Sequence, residues 1–307
     1  MASCLESSGV AIPSPRSLAV AVPIGTDFED RACLDLFRDA ITEITPNLRW
    51  NFTAVATLRR RLQRYAAHHQ HGTTYISVSA ISEETLDTVI APLRAHNVLR
   101  VWWESEIRGA IIKLMPSAHH EFSASRFLTN LTTKVLEIPG HDQWSLDQVG
   151  ATRFHVPGRR SKEGDGGVRC STRVGANAWP NLMIEVGFSQ TLRMLQIDAQ
   201  WWLEASGGLA RMVIIIQVSA NPNSMHFEAW ELLPNNRRIT RVSRPNIPTR
   251  TKTYSNDIDA TGIASHNQPL NIPYGVLFDV PHANQVDIQF TADDLLRISQ
   301  RVFIASQ

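Results

Sequence analysis

Cysteine is scarce in this chain of 307 residues. The three present, Cys4, Cys33 and Cys170, form an odd count at spacings that suit neither a disulfide framework nor a zinc finger. A reducing, intracellular compartment is the expectation. Long apolar runs are missing too. None exceeds five residues, 212–216 being one, against the roughly 20 that a membrane-spanning helix needs. The opening Met-Ala-Ser-Cys-Leu-Glu-Ser-Ser has neither the basic stretch nor the apolar core of a secretory signal. Excess charge of one sign is absent: 30 Lys and Arg face 29 Asp and Glu, for a net +1. No global field therefore recruits nucleic acid or an anionic membrane, and any such affinity has to be local. With 43% hydrophobic and 19% charged residues, the chain is neither disordered nor fibrous. Its length suits one large domain, alone or with an attached subdomain.

Residues 1–18 are small, polar and proline-bearing and read as a loose tail. Apolar spacing predicts helices over 27–44 and 54–65, and a third from the N-cap Ser82 to about 96, followed by Glu83 and Glu84. These make 19–100 an α-rich extension. From residue 101 the texture changes. Residues 101–104 and 110–115 read as a strand pair around Arg108-Gly109, 118–137 as a helix, and 164–169 and 182–188 as strands. A helix over 190–204 ends at Gly207-Gly208, and strands follow at 211–218 and 226–232. Strand, helix and strand in that order suit one right-handed crossover, so the expected fold is α/β with a mixed sheet flanked by helices. Residues 236–307 read as a covering segment with a short strand at 274–278 and a last helix from Thr291, capped ahead of Asp293 and Asp294.

Three carboxylates break the local pattern. Glu185 lies in Leu-Met-Ile-Glu-Val, otherwise a buried strand, where an unpaired charge costs several kcal/mol. Alternation puts it on one face with Met183 and Gly187, opposite Leu182, Ile184 and Val186. Glu121 continues the stripe of Ala124, Leu128, Leu131 and Val135 one turn earlier. Asp165 heads a short strand able to pair with that of Glu185. Two carboxylates on adjacent strands and one from a covering helix can hold a hard cation such as Mg²⁺ or Mn²⁺. Each residue also has a bland explanation: Glu185 can pair with Arg153, Arg159, Arg160 or Lys162, and Glu121 can complement its helix dipole.

The segments Ile111-Ile-Lys-Leu-Met-Pro-Ser-Ala-His-His-Glu121, Lys162-Glu-Gly-Asp165 and Trp179-Pro-Asn-Leu-Met-Ile-Glu-Val-Gly-Phe-Ser189, the last running on to Asp198-Ala-Gln-Trp-Trp-Leu203, carry a likeness. Residues 101–235 resemble the PD-(D/E)XK, restriction-endonuclease-like superfamily, in particular uncharacterised fungal members and bacterial restriction-endonuclease-like proteins. The ending, Asp287-Ile-Gln-Phe-Thr-Ala-Asp-Asp-Leu295, is similar as well. The resemblance implies a restriction-endonuclease-like core and metal-dependent hydrolysis of phosphodiesters in DNA, with RNA left open. It makes Asp165 and Glu185 the two catalytic acids and Glu121 a further metal ligand for Mg²⁺ or Mn²⁺. The family's lysine is missing from both of its positions: Gly187 stands at one and the neutral Gln200 at the other. Arg193 and Lys162 are the substitutes the sequence offers, and Pro180 precedes Asn181 rather than Asp. The alternative is a nuclease-fold domain without catalysis, acting as a nucleic-acid-binding or protein-interaction module.

Basic residues concentrate at 153–173 and 237–252. Arg159, Arg160, Lys162 and Arg193 are the expected phosphate contacts if nucleic acid binds, although such runs are usually solvated surface. His68, His69 and His71 lack a Cys or carboxylate partner in sequence and read as a helix end. His120, which matches a histidine of the relatives, suits a supporting role beside Glu121. Trp201 and Trp202 read as core, and Cys170 as a small buried residue.

Overall fold

The computed structural model describes residues 26–68, 72–94, 99–115, 118–175, 178–188, 191–233 and 249–305. Helix α1 (Thr26–Glu43) buries Cys33, Leu36, Phe37 and Ala40 along one stripe. Strand β1 (Arg49–Asn51) leads into α2 (Val55–His68), which buries Leu58 and Leu62, and then β2 (Thr74–Ser79). Helix α3 (Glu83–Ile90) starts where the Thr85 amide donates to Ser82 Oγ at 3.2 Å. It stops short of residue 96, because Pro92 has no amide hydrogen to continue the ladder and 91–93 close as a 3₁₀ turn.

Strands β3 (Leu99–Glu104) and β4 (Gly109–Leu114) pair antiparallel, and helix α4 (Ala118–Leu136) follows. Next come β5 (Leu146–Val149), β6 (Arg153–Val156), β7 (Arg160–Glu163), β8 (Gly166–Cys170) and β9 (Leu182–Phe188). Helix α5 (Leu192–Ala205) crosses over, so that β10 (Met212–Ala220) pairs parallel with β9. The helix ends at Gly207 and Gly208, whose φ of +60° and +79° only glycine adopts cheaply. Strand β11 (Asn223–Leu233) returns antiparallel and β12 (Thr249–Ile258) lines its outer edge.

Two six-stranded mixed sheets result, in the orders β1-β2-β4-β3-β7-β6 and β12-β11-β10-β9-β8-β5. The α/β architecture with a crossover is as the sequence reads. Several details differ. The amino-terminal region, read as α-rich, holds two strands besides its helices: β1 and β2 join β3 and β4 in one sheet, and the expected division at residue 100 falls inside that sheet. The strand expected over 164–169 is β8, shifted to 166–170 in the second sheet, and β7, not expected from the sequence, precedes it at 160–163 in the first. Residues 274–278 are not a strand. They form the short helix α6 (Tyr274–Leu277) after β13 (Leu270–Ile272), with the Tyr274 amide donating to Asp287 Oδ1 at 2.9 Å. Strand β14 (Ile288–Phe290) pairs with β13, and α7 (Ala292–Ala305) starts at the expected cap, where Asp294 N donates to Thr291 Oγ1 at 3.2 Å.

The second sheet is buried on both faces, which is why β9 and β10 read as nearly continuous apolar runs. One face, with Ile184, Val186, Ile214 and Ile216, packs on Phe127 and Leu131 of α4 and Leu295 of α7. The other, with Met183, Val213 and Ile215, packs on Trp201 and Trp202 of α5, and through them on Phe37 of α1 and Trp102 of the first sheet. The outer face of the first sheet is closed by α2 and α3.

Candidate functional site

Asp165 sits where the chain leaves the first sheet for the second. Gly164 leaves room there for two neighbours, since a Cβ would run into the movable end of Met183 and lie 3.0 Å from Trp202 Cζ2. The Gly164 carbonyl accepts from Arg100 Nε at 2.9 Å, which ties the crossing point to β3. Strand β9 brings in Glu185, and β4 brings in Lys113, a residue given no role in the sequence reading. The Lys113 ammonium donates to Asp165 Oδ2 at 2.5 Å, to the Val186 carbonyl at 2.9 Å and to Glu185 Oε2 at 3.3 Å. Three oxygens thus converge on one cation.

Around this centre lies a layer of further polar groups. The Val186 amide donates to Asp165 Oδ2 at 2.8 Å and the Trp202 indole to Glu185 Oε1 at 2.6 Å. Lys162 pairs with Asp198 and stands 3.8 Å from Glu185 Oε1, while the Tyr75 hydroxyl donates to Asp198 Oδ2 at 2.9 Å. His120 Nε2 is 3.1 Å from Asp165 Oδ2 but out of line for a hydrogen bond. Both His120 nitrogens and Asp165 Oδ1 are buried with no hydrogen-bond partner among the described residues. Asp165, Glu185, Lys113, Lys162 and Asp198 are all 7% exposed or less. A cavity of about 10 Å³ among Tyr75, Trp102, Lys113, Lys162, Glu185 and Asp198 has room for a single water.

Charge explains the two acids' different behaviour. Burial pushes Asp165 up, but the positive fields of His120 and Lys113 outweigh it and hold its carboxyl well below the usual range. Burial pushes Glu185 up to about 7, because its cations, Lys162 at 3.8 Å and Lys113 at 3.3 Å, stand farther off and Asp165 and Asp198 repel it. For Lys113, burial works against the charged form and is overcome by Asp165 and Glu185, so its pKa is raised. His120 follows the same logic: desolvation lowers it, Asp165 raises it more. Lys113, Lys162 and Arg100, with His120 beside them, stand against the carboxylates of Asp165, Glu185 and Asp198.

Of the residues singled out from the sequence, Asp165, Glu185 and Lys162 meet in this cluster. Glu121 is at its margin, with a side chain 54% exposed and 3.8 Å from both Arg100 and His120. Gln200 is not brought in: it lies on the far side of α5, accepting from Arg250 Nη1 at 3.1 Å. Arg193 is exposed and 3.4 Å from Asp39. Arg159 pairs with Asp30, and Arg160 is buried against Glu104 at 3.1 Å. Residues 237–248 of the second basic run, with His69 and His71, lie outside the described residues. Cys170 is buried and Trp201 and Trp202 are core, as expected, although Trp202 also holds Glu185.

No family model matches the chain, and no curated protein matches it either. The site therefore rests on its own geometry. Among the described residues no three His, Cys, Asp or Glu side chains come together as a metal-holding group. The oxygens gathered on Lys113 are nonetheless of the hard kind that Mg²⁺ takes, two carboxylates and a carbonyl, and Asp165 Oδ1 has a free lone pair beside them. The donor set fits a hard cation, and the ammonium is the cation it holds.

Proposed function

We propose that the chain is a restriction-endonuclease-like domain that hydrolyses phosphodiesters of nucleic acid, with Asp165, Glu185 and the Val186 carbonyl as its cation site and Lys113 as its lysine. The observation that supports this most is the Lys113 ammonium within 2.5–3.3 Å of all three oxygens. The absence of a lysine at positions 187 and 200 then no longer counts against catalysis, because a strand of the other sheet supplies one. When bound, Mg²⁺ would polarise the scissile phosphate and provide a water of lowered pKa. Lys113 would yield the oxygens and turn its charge toward the attacking hydroxide and the developing phosphate charge. Asp165, held ionised, is ready as a ligand at neutral pH. Glu185, pushed up by burial, is the less readily ionised of the two acids.

The same cluster favours a second reading through a different observation. Its acids are sealed and already balanced by Lys113, Lys162 and Arg100, as in a core that has exchanged its metal for a tethered ammonium. The two readings part on one set of measurements: plasmid nicking with Mg²⁺, Mn²⁺ or EDTA, alongside calorimetric titration with Mn²⁺. For a nuclease, the wild type nicks only with metal, Asp165→Asn and Glu185→Gln lose both nicking and Mn²⁺ binding, and Lys113→Met binds Mn²⁺ more tightly yet does not nick. A wild type that neither nicks nor binds Mn²⁺ establishes the non-catalytic reading.

A further inference from the structure

Helix α2 carries Arg59, Arg60, Arg61, Arg64 and His68 and no acidic residue. In a chain whose net charge is +1 this is the densest concentration of one sign on a described element. Several arginines elsewhere in the molecule are tied to carboxylates: Arg94 and Arg153 to Glu163, Arg160 to Glu104, Arg173 and Arg211 to Asp279. Those of α2 are not. Arg59 donates to the Thr88 carbonyl at 2.7 Å, and Arg61 lies 3.9 Å over the Trp50 ring. Arg60, Arg61 and Arg64 are exposed, and none of the three forms an ion pair with a carboxylate among the described residues.

Beside this row runs a groove of about 360 Å³, lined among others by Leu48, Trp50, Arg61, Arg64, Tyr65 and His68 and, among the described residues, by no carboxylate. Its aromatic floor is not available for stacking or for an apolar anchor, since Trp50 is 5% exposed and Arg61 covers its face. A lipid surface is a poor match, because Leu58 and Leu62, the apolar side of α2, are buried against the sheet and nothing apolar is left to insert. What the surface offers is guanidinium: planar forks at positions 60, 61 and 64 with an imidazole at 68, spread over about 12 Å of helix at 1.5 Å per residue. A repeating anionic backbone is the ligand whose chemistry matches a linear row of such forks.

We propose that the Arg60, Arg61, Arg64 and His68 face of α2 is a docking track for the phosphate backbone of a nucleic acid, bound without regard to sequence. It lies on the outer face of the first sheet, away from Lys113 and Asp165, and does not depend on the nuclease reading. The test is fluorescence anisotropy of the full chain with a labelled DNA of about 20 nucleotides, single-stranded and duplex. EDTA is present throughout, so that cleavage plays no part. Arg60→Glu/Arg64→Glu is expected to weaken binding at least ~10-fold and to lower the slope of log affinity on log salt by about 2 between ~50 and 200 mM. Arg60→Lys/Arg64→Lys keeps the slope. Arg60→Gln/Arg64→Gln, with helicity checked by circular dichroism, replaces the charge reversal if that variant does not fold. An oligonucleotide that fails to bind the wild type overturns the proposal. So does unchanged affinity in the Glu or Gln pair, or equal competition by polyglutamate or by anionic vesicles.

Discussion

Two regions of this molecule handle positive charge in opposite ways. Between the sheets, Lys113, Lys162 and Arg100 are sealed among carboxylates, and each charge is matched. On α2, Arg60, Arg61 and Arg64 face solvent without an opposite charge among the described residues. The first arrangement is held by the low-dielectric interior, where an unpaired charge is costly and a paired one locks its neighbours. The second costs the fold almost nothing, because water solvates it. Removal of a cation should therefore damage the first region and leave the second untouched.

The largest effect is expected from Lys113→Met. It keeps the length of the side chain and deletes the ammonium, leaving Asp165 and Glu185 buried with only Arg100, His120 and Lys162 to compensate. Breaking a buried pair in this way costs about 3–5 kcal/mol, measured by urea unfolding at pH 7. The loss is smaller at pH 5, where Glu185, already pushed up to about 7, takes a proton and one uncompensated charge disappears. A loss under about 1 kcal/mol would mean that the cluster is wet and loosely paired, and that the two regions do not differ in kind.

Next comes Glu104, fully buried, whose side-chain oxygens lack hydrogen-bond partners and whose one near cation, among the described residues, is Arg160 at 3.1 Å. Burial raises its pKa from 4.5 to about 7, Arg160 opposing. A carboxyl raised on folding binds its proton more tightly in the native state. Its contribution favours folding at low pH and is lost as pH rises from 4.5 through 7. Glu185 titrates with the same sign over the same window. Glu104→Gln should remove its share, flattening the fall in unfolding free energy between pH 5 and 8 by up to about 3 kcal/mol. An unchanged slope would show that Arg160 keeps Glu104 ionised throughout.

Gly164→Ala tests the crossing point that sets up the cluster. The new methyl meets the flexible end of Met183, which can move, and the ring of Trp202, which cannot without disturbing its hydrogen bond to Glu185. Overpacking of this kind costs about 1–3 kcal/mol. A cost near zero in thermal unfolding would mean that Met183 absorbs the change alone and that Glu185 keeps its partner.

How far the sequence discloses this arrangement depends on the range of the forces involved. Local signals carry well: alternation gives β9 and the face of Glu185, and caps give Ser82 and Thr291. A charge misplaced in an apolar run identifies Glu185, and a short strand able to pair with that of Glu185 points to Asp165. Lys113 escapes because its partners lie 52 and 72 residues on, one at the crossing between the sheets and one in a strand of the second, a relation no local period encodes. The signal was nonetheless there, since Lys113 interrupts Ala-Ile-Ile-Lys-Leu-Met just as Glu185 interrupts its own strand. An acid and a base that both violate burial are candidates for one another. Gln200 came from the resemblance alone, and in α5 it points to Arg250 rather than to the cluster.

The smallest effect is also the one that reverses sign. Arg60 and Arg64 are one helical turn apart, four residues along the same exposed side of α2. Like charges at that spacing repel by about 0.2–0.5 kcal/mol, and no carboxylate among the described residues offsets them. Arg60→Gln/Arg64→Gln removes the repulsion while keeping two good helix formers. Thermal unfolding at low salt should show the variant as stable as the wild type or more stable by about 0.3 kcal/mol, and the difference should vanish when salt screens the pair. A loss above about 1 kcal/mol, persisting in high salt, would place these guanidiniums in structural contacts like those of Lys113. It would remove the distinction between charge that holds the fold and charge left free for a partner.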